Sequence, residues 1–293
     1  MAKSISLIGL GAMGAALASQ YITHNYQTTV WNRTVTKATP LVQKGARLAS
    51  SVSEAILATN LIAICLLDKS AVQETLSPVL SSSPSSLAGK TIIDVTSCTP
   101  NEARELSALI IPSGARYIHG GIMAVPDMIG SAYSTLLCSG GESEDTFTAI
   151  RGDLSLIGTP RYLGTDAGRA SLYDLALLSG LYGLCCGCLH AAALVRSEGG
   201  TSITGFLELL KPWLTVMMGY LDVMAKQIDE GEYATQGANL GMQMALTQSI
   251  LKVGEEQGVS SDLVLPLRRL VERAVADGRG GEDLAAINEY LKR

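Results

Sequence analysis

Short runs of hydrophobic residues recur through the first half of the chain, and a helical pattern or a turn separates each run from the next. These runs predict strands at residues 4–10, 28–31, 61–67, 91–95, 116–119, 134–138 and 161–163. Uninterrupted apolar runs such as 61–67 are typical of parallel strands that are covered on both faces. The alternation of strands with helices predicts a doubly wound parallel sheet, and therefore an α/β domain, over residues 1–165.

The strand pattern ends near residue 165, and longer helical patterns follow. We expect helices at 168–196, 202–228, 236–257, 261–277 and 282–292, which together form an all-α domain over residues 166–293. Helix 168–196, between the two domains, has apolar residues on every side, a pattern typical of a helix that is buried all round. It spans about 40 Å, whereas a domain of about 130 residues is about 30 Å across. We therefore expect a second copy of the chain to cover it, in a homodimer with intertwined helical domains.

Part of this long helix has an alternative interpretation as a membrane span. Residues 175–195 carry no charge, and the run is long enough to cross a bilayer. Ser179, His190 and three glycines interrupt it, however, and Asp174 and Arg196 bound it closely. We therefore favour a buried helix between two domains and expect no membrane partner.

Composition and charge narrow the function classes. The 293 residues are 47% hydrophobic and 17% charged, which is typical of a globular protein. A net charge of −5 without any basic run argues against a nucleic-acid partner. The cysteines show no disulfide framework and the histidines show no metal-ligand spacing, so we expect no bound metal. An N-terminus without a signal-peptide layout leads us to expect a cytoplasmic protein.

A glycine-rich turn joins the first strand to the first helix. Its residues are Gly9, Leu10, Gly11, Ala12, Met13 and Gly14. Gly9 permits the tight turn, Gly11 allows a pyrophosphate to approach the backbone, and Gly14 allows helix and strand to pack closely. The N–H groups at the start of the helix then face the anionic pyrophosphate. This strand–turn–helix context predicts a dinucleotide site in a Rossmann domain.

The end of the second strand indicates which dinucleotide binds. Sites for NAD place an acidic residue there, about 20 residues further on, to hold the ribose hydroxyls. This chain has Asn32, Arg33 and Thr34 instead. Asn32 lacks the carboxylate that would repel a 2′-phosphate, and Arg33 and Thr34 can hydrogen-bond to that phosphate. With Lys37 within one helical turn, the sequence predicts NADPH/NADP+ as the cofactor.

Four motifs together are more specific than any one of them: GLGAMG at 9–14, WNRT at 31–34, DVTSCTP at 94–100 and GGIMAVP at 120–126. Their arrangement resembles the β-hydroxyacid dehydrogenase and 6-phosphogluconate dehydrogenase superfamily, which implies an N-terminal Rossmann domain and a helical C-terminal domain. Members of that superfamily carry a catalytic lysine near the start of the long helix. This chain has no lysine between Lys90 and Lys211, and Leu172 takes the corresponding position. Oxidation of a secondary alcohol by such a lysine is therefore not expected.

Further motifs resemble the imine reductases, and specifically the fungal reductive aminases: GTDAGRASLYDLALLSGLYG, KPWLTVM, YATQGANLGMQ and the terminal GGEDLAA. The resemblance implies NADPH-dependent hydride transfer to the C=N carbon of a cyclic imine, or of an imine formed from a carbonyl compound and an amine. It implies that Asp174 interacts with the imine or amine nitrogen and that Tyr182 supports Asp174. The substrate-pocket residues that it implies are Trp213, Met242, Gln243 and Ser97, the last of which replaces an asparagine of the fungal enzymes.

The residues themselves leave alternatives open. Burial raises the pKa of a carboxyl group, so Asp174 can donate a proton to the nitrogen or, when ionised, hold an iminium ion. It can also be a buried aspartate paired with a backbone group, and Tyr182, Trp213 and Met242 can be core residues. Ser97 follows the predicted strand 91–95, at the carboxyl edge where doubly wound folds bind ligands.

Two functions of other classes also stay open. One is a lysine-independent reductase or dehydrogenase of a hydroxy or oxo acid, which needs a cationic residue to hold the substrate carboxylate. The candidate pocket residues include no such cation. The other is a non-catalytic NADP-binding protein. An assay of NADPH consumption with a ketone, alone and then with an amine, separates these alternatives.

Overall fold

The computed structural model describes residues 3–200, 202–235 and 237–292. The chain divides into two compact units, of which the first ends at Ser179 and the second begins at Gly180. This division lies inside the long helix, because the first turns of that helix are bonded to the sheet-containing unit. The backbone N–H of Ala170 donates to Ser139 Oγ at 2.8 Å, and the Ser171 hydroxyl donates to the carbonyl of Cys98.

The first unit contains an eight-stranded sheet in the order β3-β2-β1-β4-β5-β6-β7-β8. The strands are β1 (Ser4–Ile8), β2 (Gln27–Trp31), β3 (Arg47–Leu48), β4 (Leu61–Ile64), β5 (Thr91–Asp94), β6 (Arg116–Met123), β7 (Thr135–Gly140) and β8 (Thr159–Tyr162). Neighbouring residues of β1 point to opposite faces, so that Leu7 and Ile8 belong to separate hydrophobic clusters. The predicted α/β class with an N-terminal Rossmann domain is confirmed.

One pair of strands departs from the predicted all-parallel sheet. Strands β6 and β7 are antiparallel, with His119 opposite Ser139, whereas β7 and β8 are parallel again. A parallel pair needs a crossover connection that usually contains an α-helix. Residues 124–134 between these strands contain only a short 3-10 helix, Pro126–Met128, so the chain returns antiparallel.

Helices follow most strands of the first unit. They are α1 (Ala12–Thr23), α2 (Thr39–Gln43), α3 (Val52–Ala58), α4 (Lys69–Ser82), α5 (Pro100–Ile110) and α6 (Glu144–Leu154), with 3-10 helices at Val35–Ala38, Pro84–Leu87 and Ile111–Ser113. Helix α5 begins with a complete capping box, because the Thr99 side chain accepts from the Glu102 N–H and the Glu102 carboxylate accepts from the Thr99 N–H. This cap fixes where the chain turns after β5.

The second half is helical, as predicted. Its elements are α7 (Gly168–Ser197), α8 (Ile203–Met217), α9 (Tyr220–Glu230), α10 (Leu240–Gln257) and α11 (Leu265–Ala274), then a π-helical segment (Val275–Arg279) and a 3-10 helix (Leu284–Tyr290). The single helix predicted at 202–228 is wrong, since the chain breaks near Gly219. The helix predicted from Gln236 begins at Leu240, where Asn239 accepts the Met242 N–H; Gln236 itself lies outside the described residues.

Helix α7 is not covered within a single chain. Its apolar side chains are largely exposed, as expected for a helix that its own domain is too small to cover. By length and composition alone, with a mean hydropathy of 1.6, it is the one helix in the described ranges that is long and apolar enough to cross a membrane. The second unit has only a small buried core, which its final segments form around Tyr233, Leu240 and Val271.

Candidate active site

A cleft of about 480 Å³ lies at the carboxyl ends of β1, β2 and β4. Its volume is in the range of small-molecule and cofactor sites. Every residue predicted for the cofactor lines it: Gly9, Leu10, Gly11, Ala12, Met13, Gly14, Asn32, Arg33, Thr34 and Lys37. Sequence reasoning missed the remaining lining, which is Trp31, Cys65, Leu66, Leu67, Ala71, Glu74 and Thr75.

The three glycines of the turn have different structural roles. Gly9 has φ of 100°, and a Cβ there would stand 2.2 Å from the Cys65 carbonyl oxygen. A Cβ on Gly14 would stand 2.1 Å from the Gly9 carbonyl oxygen, whereas Gly11 faces open space. Gly9 and Gly14 therefore serve the turn and the packing of α1. Gly11 leaves the N-terminus of α1 accessible to an anion.

Asn32 lacks a carboxylate that would repel a 2′-phosphate, and it also has a structural role. Its Oδ1 accepts the Leu10 N–H at 2.9 Å, and its Nδ2 donates to the Thr34 carbonyl at 3.0 Å. The side chain thus ties the glycine turn to the segment after β2. The Arg33 guanidinium is exposed and forms no hydrogen bond or ion pair with the described residues, so it is available to an anion in the cleft.

Asp174 lies on α7 and packs against a strand of the first unit. Its residue is 8% exposed, and burial raises the pKa of its carboxyl group above the ordinary value. A Cβ on Gly121 of β6 would stand 2.8 Å from the Asp174 Cβ, so the missing side chain at 121 makes room for Asp174. Its carboxyl group has no hydrogen-bond partner among the described residues, which argues against the alternative of a pairing with a backbone group.

Ser97 is exposed, just beyond β5, and the next residue connects this turn to α7. The Ser171 hydroxyl donates to the Cys98 carbonyl, and Ser171 is one helical turn before Asp174. Ser97 and Asp174 therefore belong to segments of the first unit that are bonded to each other.

The other implied site residues lie in the second unit. Tyr182 on α7 is 65% exposed, Trp213 on α8 is 61% exposed and Met242 on α10 is 54% exposed, while Gln243 is half-buried. Within a single chain, Tyr182, Trp213 and Met242 are thus not core residues. Their alternative interpretation as packing residues does not hold there.

Comparison with known proteins identifies the family. Residues 4–163 match the NAD-binding domain of 6-phosphogluconate dehydrogenase, and residues 166–293 match the C-terminal domain of NADPH-dependent reductive aminase-like proteins. An NADPH-dependent reductive aminase of Aspergillus oryzae is 56% identical over 294 residues, which cover 100% of this chain and 98% of that protein. The chain belongs to the reductive aminase family.

Solved structures agree with this membership. A reductive aminase from Aspergillus terreus, described in complex with NADPH4, cyclohexanone and allyl amine, is 50% identical and superimposes with a TM-score of 0.92, with 100% of both chains covered. An imine reductase from Myxococcus stipitatus in complex with NADP+ is 32% identical with a TM-score of 0.90, over 99% of this chain and 100% of that one. The two-domain architecture is thus shared across the imine reductases.

A cluster of buried polar side chains lies next to the turn that contains Ser97. It contains Asp94, Tyr117 and His119, and all three side chains are fully or almost fully buried. Burial raises the pKa of Asp94 to about 6, against the hydrogen bonds that it accepts, and lowers the pKa of His119 to about 4. Sequence reasoning missed these residues, although the acid at the end of an apolar strand was a visible signal. The described residues contain no cluster of His, Cys, Asp and Glu that could hold a metal ion.

Proposed function

We propose that this chain is an NADPH-dependent reductive aminase, an oxidoreductase that reduces the C=N bond of an imine. The substrates are a ketone or aldehyde with an amine, or a preformed cyclic imine. The observation that carries the proposal is the 56% identity over the whole chain to an NADPH-dependent reductive aminase. The cofactor cleft and the buried Asp174 support it, since neither Arg33 nor the Asp174 carboxyl group is paired with any described residue.

Each site residue has a separate role in the proposed reaction. When bound, NADPH supplies the hydride that the imine carbon accepts. Gly11 and the open N-terminus of α1 receive the pyrophosphate, and Arg33 receives the 2′-phosphate. Asp174 serves the nitrogen: with its pKa raised by burial it donates a proton, or in its ionised form it holds the iminium ion. Tyr182 supports Asp174, and Ser97, Trp213, Met242 and Gln243 contact the substrate.

The assay uses NADPH with cyclohexanone, first alone and then with allyl amine. We expect NADPH oxidation only when both are present, with a secondary amine as the product. Oxidation with the ketone alone would point to a carbonyl reductase. Binding of NADPH without oxidation in either mixture would point to a non-catalytic protein. An oxo-acid reductase needs a cation to hold the substrate carboxylate, and the residues implied for the pocket include none: Ser97, Asp174, Tyr182, Trp213, Met242 and Gln243.

We also propose that the chain forms a homodimer through the exposed apolar faces of its long helices. Leu177, Leu181 and Leu184 on α7 are all exposed in the single chain. Helix α8 has no buried residue in the single chain. Obligate interfaces of this apolar kind bury upward of about 2,000 Å².

Sedimentation velocity at low protein concentration tests the dimer. We expect Leu184→Glu to sediment as a monomer, because a charge in a buried interface is costly. Leu57→Glu is the control, since Leu57 is also an exposed leucine, on α3 of the first unit. A wild-type chain that stays monomeric and active would contradict the proposal.

We further infer a cytoplasmic location. All cysteines of the chain are free thiols, which is typical of a reducing compartment. Fractionation of the source cells with an antibody tests this, and recovery with secreted or membrane fractions would contradict it.

A further inference from the structure

A chain of polar contacts crosses the interior of the first unit. The Tyr117 hydroxyl donates to Asp94 Oδ2 at 3.0 Å and lies 3.4 Å from His119 Nδ1. His119 Nε2 lies 3.8 Å from Cys98 Sγ. Tyr117, His119 and Gly121 share one face of β6, because side chains alternate along a strand. The polar chain therefore ends beside the strand position on which Asp174 packs.

Both ends of this polar chain connect to site elements. At one end, Asp94 Oδ1 accepts the Thr96 N–H at 3.0 Å, and Thr96 Oγ1 accepts the N–H of Leu66, a residue that lines the cofactor cleft, at 3.1 Å. At the other end, the Cys98 carbonyl accepts the Ser171 hydroxyl, one turn before Asp174. The Ser97 turn lies between the two ends.

The protonation states of these side chains determine which atom donates and which accepts in each contact. Burial holds His119 neutral, with its pKa lowered to about 4, and keeps Cys98 a thiol, with its pKa raised to about 12. Ionised Asp94 can only accept hydrogen bonds. Tyr117 therefore donates to Asp94, His119 Nδ1–H donates to Tyr117, and the Cys98 thiol donates to His119 Nε2. Every donor points toward Asp94.

We propose that Asp94, Tyr117 and His119 are positioning residues, whose directional hydrogen-bond chain fixes the Ser97–Cys98 turn and, through Ser171, the first turns of α7 that carry Asp174. The proposal rests on the proposed function, since Asp174 is the residue that it positions for the imine nitrogen. None of the three touches the reacting atoms. Their effect on turnover passes through Asp174, because the Ser97–Cys98 turn holds the start of α7 by way of Ser171.

The first experiment determines the direction of the hydrogen bonds between Cys98 and Asp94, and it requires no measurement of enzyme activity. In wild type above about pH 6, where Asp94 is ionised, nitrogen-15 NMR of the histidine rings should show His119 protonated on Nδ1 alone. In Asp94→Asn, the amide oxygen must still accept the Thr96 N–H, so the amide NH₂ faces Tyr117 and donates to it. Tyr117 then donates to His119 Nδ1, and the proton of the imidazole moves to Nε2. His119→Gln assigns the resonances against those of His24 and His190. The same tautomer in both proteins, or a charged His119, would overturn the proposal.

The second experiment is a double-mutant cycle in the holoenzyme with Tyr117→Phe and Asp174→Ala. Because small misplacements of a catalytic group reduce turnover strongly, we expect Tyr117→Phe to lower kcat about tenfold in the wild-type background. We expect less than about a twofold further loss in the Asp174→Ala background, where there is no carboxyl group to position. The dissociation constant for NADPH should not change, because the link from Asp94 through Thr96 to Leu66 is intact.

Tyr21→Phe is the matched control. Tyr21 is equally buried, and its hydroxyl has no partner among the described residues, so its removal should leave kcat unchanged. Equal losses from Tyr117→Phe in both backgrounds, or no loss, would overturn the positioning role. If Tyr117→Phe does not fold, His119→Phe replaces it in the same cycle, because loss of the imidazole also breaks the hydrogen bonds between Tyr117 and Cys98. The expected losses and the outcomes that would overturn the positioning role are the same. Failure of the wild type to reduce any imine would instead refute the proposed function, while the tautomer result would still stand.

Discussion

The residues proposed to bind the cofactor and those proposed to bind the substrate are held in contrasting ways. The cofactor cleft is complete within one compact unit, and Asn32 hydrogen-bonds its glycine turn to the segment after β2. Of the implied substrate residues, only Ser97 and Asp174 belong to that unit. Tyr182, Trp213 and Met242 belong to the other unit and are more than half exposed.

The difference shows how much of each site is built from residues that are adjacent in sequence. A strand, a turn and a helix suffice to build the cofactor site, because the glycines and the helix N-terminus are adjacent in sequence. Tyr182, Trp213 and Met242 instead lie on helices whose apolar side chains are largely exposed in a single chain. Large exposed apolar surfaces mark interaction sites, which supports the proposed dimer.

The largest expected effect comes from Asp174→Ala. Loss of a positioned acid–base group should lower turnover by at least about 100-fold, while NADPH still binds, because the cofactor cleft does not include Asp174. Steady-state kinetics and fluorescence titration with NADPH measure the two quantities. Asp262→Ala, an exposed aspartate of the second unit, is the control. Turnover close to wild type would leave Asp174 as a packing residue.

Arg33→Ala tests the cofactor half of the comparison. A charge-assisted hydrogen bond contributes about 1.5–3 kcal/mol, so the Michaelis constant for NADPH should rise by roughly 10- to 150-fold. The constant for NADH should change little, since NADH has no 2′-phosphate. Arg151→Ala, at an exposed arginine on α6, is the matched control. Equal increases in the Michaelis constants for NADPH and NADH would mean that Arg33 does not bind the 2′-phosphate.

The sequence predicted the parts of the fold that depend on local patterns. Apolar runs predicted seven of the eight strands of the sheet. Strand β3 was missed because two residues, Arg47 and Leu48, are too few to form a pattern. The antiparallel β7 was missed because its direction depends on the 124–134 connection, which has no crossover helix.

The same limit applies to the sites. The glycine turn and Asn32–Thr34 are contiguous and were predicted, and all of them line the cleft. Cys65, Leu66 and Glu74 were missed because the order of the sheet, not the sequence, brings β4 beside β1. The Asp94–Tyr117–His119 chain was missed for the same reason, since β5 and β6 become neighbours only in the folded sheet.

Gly121→Ala probes the close contact between β6 and Asp174 on α7. The added Cβ would stand 2.8 Å from the Asp174 Cβ, so α7 or the strand must shift. A misplacement of 1 Å costs about 100-fold in rate, so a shift of a few tenths of an ångström should lower turnover about tenfold. Gly152→Ala is the control, because its nearest atom is the Lys3 Nζ at 4.0 Å. Unchanged turnover in Gly121→Ala would show that Asp174 tolerates displacement.

The smallest expected effect concerns the ion pair that holds the start of α7 to α5. Arg104 donates to both oxygens of Asp166, at 2.9 and 2.7 Å, and Asp166 also accepts the Gly168 N–H at 3.0 Å. The Arg104 hydrogen bonds, followed by that backbone bond, lower the pKa of Asp166 from 3.8 to about 2. Because the folded-state pKa is the lower one, this stabilisation is present above pH 3.8 and is lost as the pH falls through 2.

Both side chains of this pair are about half exposed, so solvent screens the interaction. Arg104→Ala should therefore lower the free energy of unfolding by less than about 1 kcal/mol at pH 7, and the difference from wild type should shrink toward pH 3 and in high salt. Urea unfolding at each pH measures it, with Arg161→Ala as the control for loss of an exposed arginine. Turnover should stay within about twofold of wild type, because the Ser171 and Gly121 contacts still hold Asp174. A loss above about 2 kcal/mol, or a fall in turnover as large as that of Gly121→Ala, would mean that this exposed pair and not the buried contacts positions the catalytic helix.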